Sequence, residues 1–310
     1  MRLFPAIPDT WALTSKRWRG HIALAGSVAC GAWAVIFIRL AQQEHVPSLF
    51  IATFRLVAAS LILAPFVLRR YREHIHQLSG GDWLHVLVAG VLLAALLVMG
   101  SFSLEHTTVL VVAVLFATSP LWIALLELVF LKADFNQSMW LGLTCALVGS
   151  VIIAVSGNGD AGLGKNPALG IALALGGALI SSLYAIMGRK VRRRIPLLPY
   201  MWLIFVLGGA IDLTLLVITR TPIGNQTPTG YLWLMLATLV PQIGSHITYN
   251  YALRHLPATY CSIFGQLEVI LSATIAFFIF SEIPGLLQLP GSLAVIIGVT
   301  LVNLGQPRSE

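Results

Sequence analysis

Ten long apolar stretches, joined by short polar connections, leave this chain few ways to fold. They cover residues 20–40, 48–68, 83–104, 107–131 and 138–156, then 167–188, 199–219, 229–251, 257–280 and 288–305. Each holds about the 17–25 residues needed to span a hydrocarbon core of roughly 30 Å. Lipid offers no partner to a backbone N–H or C=O, so each spanning segment must satisfy its own polar groups as a helix. A β-barrel needs alternating segments of about ten residues, and these runs do not alternate. Composition agrees: 10% of the 310 residues are charged and 57% are hydrophobic, against roughly 25% charged in an average soluble domain. The expected fold is an all-α integral membrane protein with ten transmembrane helices.

The formal net charge is +7, yet no nucleic-acid partner is expected. The basic residues gather in the connections, where they orient membrane proteins. With the N-terminus inside, 15 of the 19 Lys and Arg residues fall on the inner side. Arg39, Lys165 and Arg220 fall outside, and Arg55 lies within a span. This asymmetry predicts a multi-pass protein of the inner (cytoplasmic) membrane with both termini cytoplasmic. Lys16, Arg17 and Arg19 resemble a signal-peptide n-region. The run after them is long enough to span and ends in Arg39 without a small-residue cleavage site, so it is read as a retained first span. Cys30, Cys145 and Cys261 sit inside apolar runs without metal-like spacing. The Gly-rich stretch from Gly157 to Gly164 lacks the Gly-Lys-Ser/Thr ending of a phosphate loop. No metal or cofactor is expected, and no catalytic Ser/His/Asp arrangement is visible.

The sequence repeats. Phe102-Ser-Leu-Glu-His106 lines up with Tyr251-Ala-Leu-Arg-His255, 149 positions on, and at the same offset Gly142 meets Gly291 and Gly149 meets Gly298. The chain then divides into a cytoplasmic arm (1–19), a first five-helix repeat (20–156), an outer linker (157–166), a second five-helix repeat (167–305) and a cytoplasmic tail (306–310). Five is odd, so the two repeats are inverted relative to each other. Inverted repeats are a recurring way to build a transporter that alternates between two open states.

On these residues the chain resembles the EamA-type branch of the drug/metabolite transporter superfamily. Trp33 in the first span, Phe54-Arg55-Leu56 opening the second and Ser119-Pro120 in the fourth carry the resemblance. So do the junction Tyr251-Ala-Leu-Arg-His-Leu-Pro257, Ser281-Glu282 after the ninth span, and Gly291 with Gly298 in the last. The chain departs from the family pattern at Lys132-Ala133-Asp134, where Gly-Glu is frequent, and at Glu268-Val269, where Glu-Pro is usual. The missing proline predicts a less kinked ninth helix. The resemblance implies ten spans, cytoplasmic termini, and export or exchange of small metabolites, amino acids among them.

Ionisable groups inside spans cost about 2.5–3.5 kcal/mol on insertion scales, so each needs a bundle interior, a partner or water. Glu268 shares a helix face with Ser262, Gly265 and Ser272. It is a candidate substrate-amine contact or proton-coupling carboxylate, with a buried structural hydrogen bond as the alternative. His246 lies with Gln242, Tyr249 and Asn250 on a polar face of the eighth span, and an imidazole exchanges protons near neutral pH. Arg55, which the family places here, is a candidate for interior gating or for a substrate carboxylate, or it snorkels outward. Asp212, one turn after Gly208-Gly209, is a candidate partner for Arg, and Glu127 reads as interfacial. Trp33, Phe102, Trp122 and Tyr184 are candidate aromatic walls, or ordinary packing; Gln266 completes the candidate cavity set. Trp83, Trp140, Trp202 and Trp233 sit near span ends as interface anchors.

The leading expectation is a non-enzymatic secondary transporter of a small polar or amphipathic metabolite such as an amino acid. It would work by alternating access through a central cavity between the repeats. Its expected partners are that solute and the lipid bilayer. Proton coupling and a homodimer are further candidates. The competing expectation is an intramembrane or lipid-modifying enzyme, which requires Glu268 and His246 to converge.

Overall fold

The computed structural model describes residues 10–131, 136–156, 165–191, 195–224, 226–253, 255–256, 261, 264–282 and 285–305. Several sequence features lie outside them: Lys132-Ala133-Asp134, the Gly157–Gly164 stretch, Arg254 and Pro257 of the junction, Ser262 and the C-terminal tail. The Glu127 side chain is likewise not described.

The described chain is helical and contains no strand. The helices are α1 (Thr10–Gly31), α2 (Trp33–Gln43), α3 (Ser48–Arg70), α4 (Arg72–His76), α5 (Gly80–His106), α6 (Val109–Phe116) and α7 (Ser119–Leu131). α8 (Gln137–Ser156), α9 (Pro167–Val191), α10 (Leu197–Ile218) and α11 (Pro228–Ala237) follow. A π-helical stretch (Thr238–Ser245) joins α11 to α12 (His246–Leu253), and α13 (Leu267–Phe280) and α14 (Gln288–Gly305) complete the bundle. The first helix therefore starts within the basic arm, ten residues before the apolar run.

Among the described residues, six helical stretches are long and apolar enough to cross a membrane: Trp18–Gln43, Ser48–Arg70, Gly80–His106, Val109–Leu126, Pro167–Ala185 and Leu197–Ile218. Gln137–Ile152, Leu267–Phe280 and Gln288–Val302 are apolar but shorter. Large apolar side chains such as Phe66, Val151, Ile218 and Phe278 face outward. Water would penalise that surface and lipid does not.

Local signals set the boundaries. Ser79 accepts from the Asp82 N–H while the Asp82 carboxylate accepts from the Ser79 N–H, a reciprocal cap for α5. Thr108 and Thr227 cap α6 and α11. Pro241 has no N–H to continue the α-helical ladder, and the π-helical turns contain it. α13 ends on Ser281 in the left-handed region (φ 53°), a conformation that favours glycine.

α8 packs along α14, α5 along α9, α3 along α10, and α1 along α12. The α8–α14 crossing is tight enough for backbone contact. A Cβ on Gly142 would stand 2.6 Å from the Gly298 carbonyl oxygen, and one on Gly149 would stand 2.6 Å from that of Gly291. Small residues allow such approach between apolar helices. Elsewhere Gly170 abuts His106 and Thr107, while Gly20 abuts His255 and Leu256.

One end of the bundle is tied by a polar clasp. Arg39, near the end of α2, donates to the Leu104 carbonyl and reaches Glu282, 3.6 Å away. The Val109 N–H donates to the other Glu282 oxygen at 3.0 Å. This joins α2, α5, α6 and the segment after α13. Burial pushes the Glu282 carboxyl above its ordinary value, against the opposing pull of the Val109 N–H and Arg39. Trp83 and Trp140 are exposed near helix ends, as interface anchors are. Trp202 instead donates to the Ser60 carbonyl at 3.0 Å, and Trp233 stacks on Phe37.

Candidate functional site

The helices line a half-open cavity of about 530 Å³. Breaks in three apolar stretches shape it. α1 stops at Gly31, before Ala32 and α2. α6 stops at Phe116 and α7 restarts at Ser119. In the second half the helix is interrupted at Gln266 and α13 starts at Leu267. The interruption falls at Gln266, three residues before Val269, which stands in place of the usual proline.

Glu268 sits in the first turn of α13 and lines the cavity. Its carboxylate has no hydrogen-bond or ion-pair partner among the described residues. It rests on Gly31, where a Cβ would stand 2.6 Å from Oε2 and 2.9 Å from Oε1. Only a bare Cα leaves room for it.

Arg55 lines the cavity from α3 and is 5% exposed. It does not snorkel outward. Its Nη2 donates to Gln242 Oε1 at 2.8 Å, and its Nε has no partner among the described residues. Gln242, itself buried, projects from the π-helical stretch. Arg55 and Glu268 do not pair with each other; the ion pair among the described residues is Arg39–Glu282. An acidic and a basic side chain thus line one cavity without pairing with each other.

His246 and Tyr249 line the same cavity from the first turn of α12. His246 Nδ1 lies 3.3 Å from the Pro241 carbonyl oxygen, so a protonated Nδ1 donates there and leaves Nε2 for other contacts. Asn250 is turned to its own helix, donating to the His246 carbonyl at 2.7 Å. Ser27 and Ser245 cross-link α1 to the π-helical stretch, each hydroxyl donating to the other's carbonyl at 3.1 and 3.0 Å.

Of the candidate residues, Arg55, His246, Tyr249, Gln266 and Glu268 line this cavity, with Gln242 directly behind Arg55. Trp33, Phe102, Trp122 and Tyr184 do not line it. Trp33 stacks on Phe37 with ring centroids 5.2 Å apart, and Phe102 packs in the same cluster. Tyr184 packs against the cluster built by α3, α5 and α10. Asp212 is fully buried and neither carboxylate oxygen has a partner, so the expected ion pair with Arg is absent among the described residues. The cavity's aromatic wall is Phe116 with Tyr249. Phe116 presses on Gly177, where a Cβ would stand 2.4 Å from its Cζ.

The lining follows the repeat. At the 149-residue offset, Leu97 matches His246, Gly100 matches Tyr249, Ala117 matches Gln266, and Ser119 matches Glu268; all eight line the cavity. Leu96 with Ser245, Val112 with Cys261 and Phe116 with Gly265 extend the pattern. The two walls are equivalent in position and opposite in chemistry. Sequence reading singled out the second-half face but did not carry it to the first half, where Phe116, Gly100 and Leu97 stand.

The model of the EamA-like transporter family matches residues 18–155 and again 168–304. The chain is similar to an uncharacterized transporter of Archaeoglobus fulgidus, 25% identical over 289 residues, spanning 92% of this chain and 98% of that one. It is also similar to the uncharacterized transporter YdfC of Bacillus subtilis, 26% identical over 289 residues, spanning 92% and 91%. A solved crystal structure shares the fold, with a TM-score of 0.60 at 15% identity over 90% of this chain and 97% of that one.

Proposed function

This chain belongs to the EamA-like transporter family, and we propose that it is a secondary exporter or exchanger of a small zwitterionic metabolite such as an amino acid. The observation that carries the proposal is the cavity itself. It is lined by matching positions of both repeats and holds Arg55 and Glu268 unneutralised. A solute bearing an amine and a carboxylate supplies each with its partner. Solute binding then offsets a desolvation cost that the empty bundle bears alone.

Alternating access through an inverted repeat is the mechanism. Its support is the exchange symmetry of the contacts. At an offset of about 149 residues, the Gly142–Gly298 approach becomes the Gly291–Gly149 approach, and the Gly170–Thr107 contact becomes that of Gly20 with Leu256. In the α8–α14 crossing, higher numbers on one helix meet lower numbers on the other, so the two equivalent helices run antiparallel. A two-fold axis in the membrane plane produces that arrangement. Ten crossings, both termini in the cytoplasm and the inner membrane complete the reading. The clasp of Arg39, Leu104, Val109 and Glu282 is then an outer gate.

Purified full-length protein in proteoliposomes, assayed by counterflow of labelled amino acids, tests this. Exchange of chemically unchanged solute is the expected result. The absence of exchange across neutral, acidic and basic amino acids would overturn it. Glu268 and His246 do share the cavity, the convergence an intramembrane enzyme requires. Recovery of a modified solute would favour that reading instead.

A further inference from the structure

We infer that the first repeat supplies an apolar side-chain subsite, so that the solute is a zwitterion carrying an aliphatic or aromatic side chain. The inference rests on the transporter reading above and adds the part of the solute that Arg55 and Glu268 do not touch.

The argument starts from the matched positions. Where the second repeat presents His246, Tyr249, Gln266 and Glu268, the first presents Leu97, Gly100, Ala117 and Ser119. A two-fold scaffold would by default place like chemistry on both walls. Here the wall from the second repeat hydrogen-bonds, and the α5–α6–α7 wall of the first, apart from Ser119, is apolar; the polar lining residues Ser27 and Arg55 come from α1 and α3. Val112 and Phe116 extend the apolar wall. A solute that fills such a cavity has its charged groups at one side and an apolar group at the other. A polar side chain would lose its water against Leu97, Val112 and Phe116 without finding a partner.

Gly100 sets the size of that subsite. A Cβ built there meets Phe116 Cζ at 3.4 Å, an ordinary contact, with no other protein atom closer. Small additions at this position are therefore accommodated, and each occupies space that the solute's side chain would use. The same end of the Phe116 ring is also held against Gly177, where a Cβ would stand 2.4 Å from Cζ.

The test is competition against counterflow of labelled L-leucine, using unlabelled L-leucine, L-phenylalanine, L-alanine and L-serine. Each buried methylene is worth about fourfold in affinity, so the wild type should favour leucine over alanine by at least about tenfold, with serine weaker than alanine. In Gly100→Leu the leucine-to-alanine affinity ratio should fall at least about tenfold. Val112→Ala, a conservative enlargement, should shift the preference towards phenylalanine. Counterflow that favours serine over leucine, or ratios unchanged in both variants, overturns the apolar subsite and leaves the transporter reading standing. Absence of counterflow for every amino acid overturns that reading, and this inference with it.

Discussion

Gly31→Ala should separate transport from stability more cleanly than a change to any charged residue. The added Cβ would lie 2.6 Å from Glu268 Oε2, 2.7 Å from Cδ and 2.9 Å from Oε1, where ordinary contact begins at 3.4 Å. The carboxylate must therefore move by about 0.8 Å, the difference between 3.4 and 2.6 Å. The obstructing atoms are the far end of a flexible side chain, so rotation about the Glu268 side-chain bonds relieves the clash without moving backbone. Alanine also favours the last turn of α1 over glycine by up to about 1 kcal/mol. Stability should thus hold or rise slightly, visible as an unchanged or raised Tm in detergent. Solute recognition should suffer, because a charge-assisted hydrogen bond worth about 1.5–3 kcal/mol depends on placement. That corresponds to an increase in KM for counterflow of about 10- to 100-fold, with protein level and Tm retained. An unchanged KM would refute the role given to Glu268. A collapse in Tm would refute the claim that the side chain alone yields.

Glu268→Gln keeps the shape and removes the charge; amino-acid counterflow should lose at least about tenfold in affinity and its pH profile should flatten, and unchanged flux and pH dependence would sink the proposed role. Gly298→Ala acts on stability instead: its Cβ would stand 2.5 Å from the Gly142 carbonyl oxygen and 2.6 Å from the Ala146 nitrogen. Rigid backbone on both sides forces α8 and α14 apart, at about 1–3 kcal/mol, to be read as a lowered Tm. Glu282→Gln probes the clasp through pH. Burial raises the native carboxyl above the ordinary value of 4.5, so the native state binds the proton more tightly than the unfolded chain. The group's contribution is fully present below 4.5 and is lost as pH rises through the native value. The Tm of the variant relative to wild type should therefore increase across mildly acidic pH and then level off; the opposite slope would show that ion pairing with Arg39 outweighs burial.

Length and hydropathy made the helical fold legible, because lipid leaves a spanning backbone few alternatives. The polar half of the cavity was legible for a related reason. A charge or amide in an apolar run is costly, so Arg55, Gln242, His246 and Glu268 announce themselves. The apolar half carries no such signal. Leu97, Val112 and Phe116 look like any lipid-facing or packing residue, and only their match to His246, Cys261 and Gly265 in the second half marks them. The aromatic candidates failed to gather at the cavity because an aromatic ring is equally at home in packing. Trp33 found Phe37, which in turn stacks on Trp233, and Tyr184 found the α3–α5–α10 cluster. Gly31 was illegible alone, since its role is to be absent beneath a carboxylate 237 positions away.

The breaks in the fourth and ninth apolar stretches bring these threads together. In the first half the helix stops at Phe116 and restarts at Ser119, with Pro120 in the new first turn. In the second half the interruption falls at Gln266, the position matching Ala117, with Val269 where the proline would be. The interruption thus recurs at the matching position with a proline after it in one half and without one in the other. What the two interruptions share is the cavity: Ser119 and Glu268, at matching positions just after them, both line it. The scaffold repeats the position, and the side chain set there decides the chemistry, a hydroxyl in the first half and a carboxyl in the second.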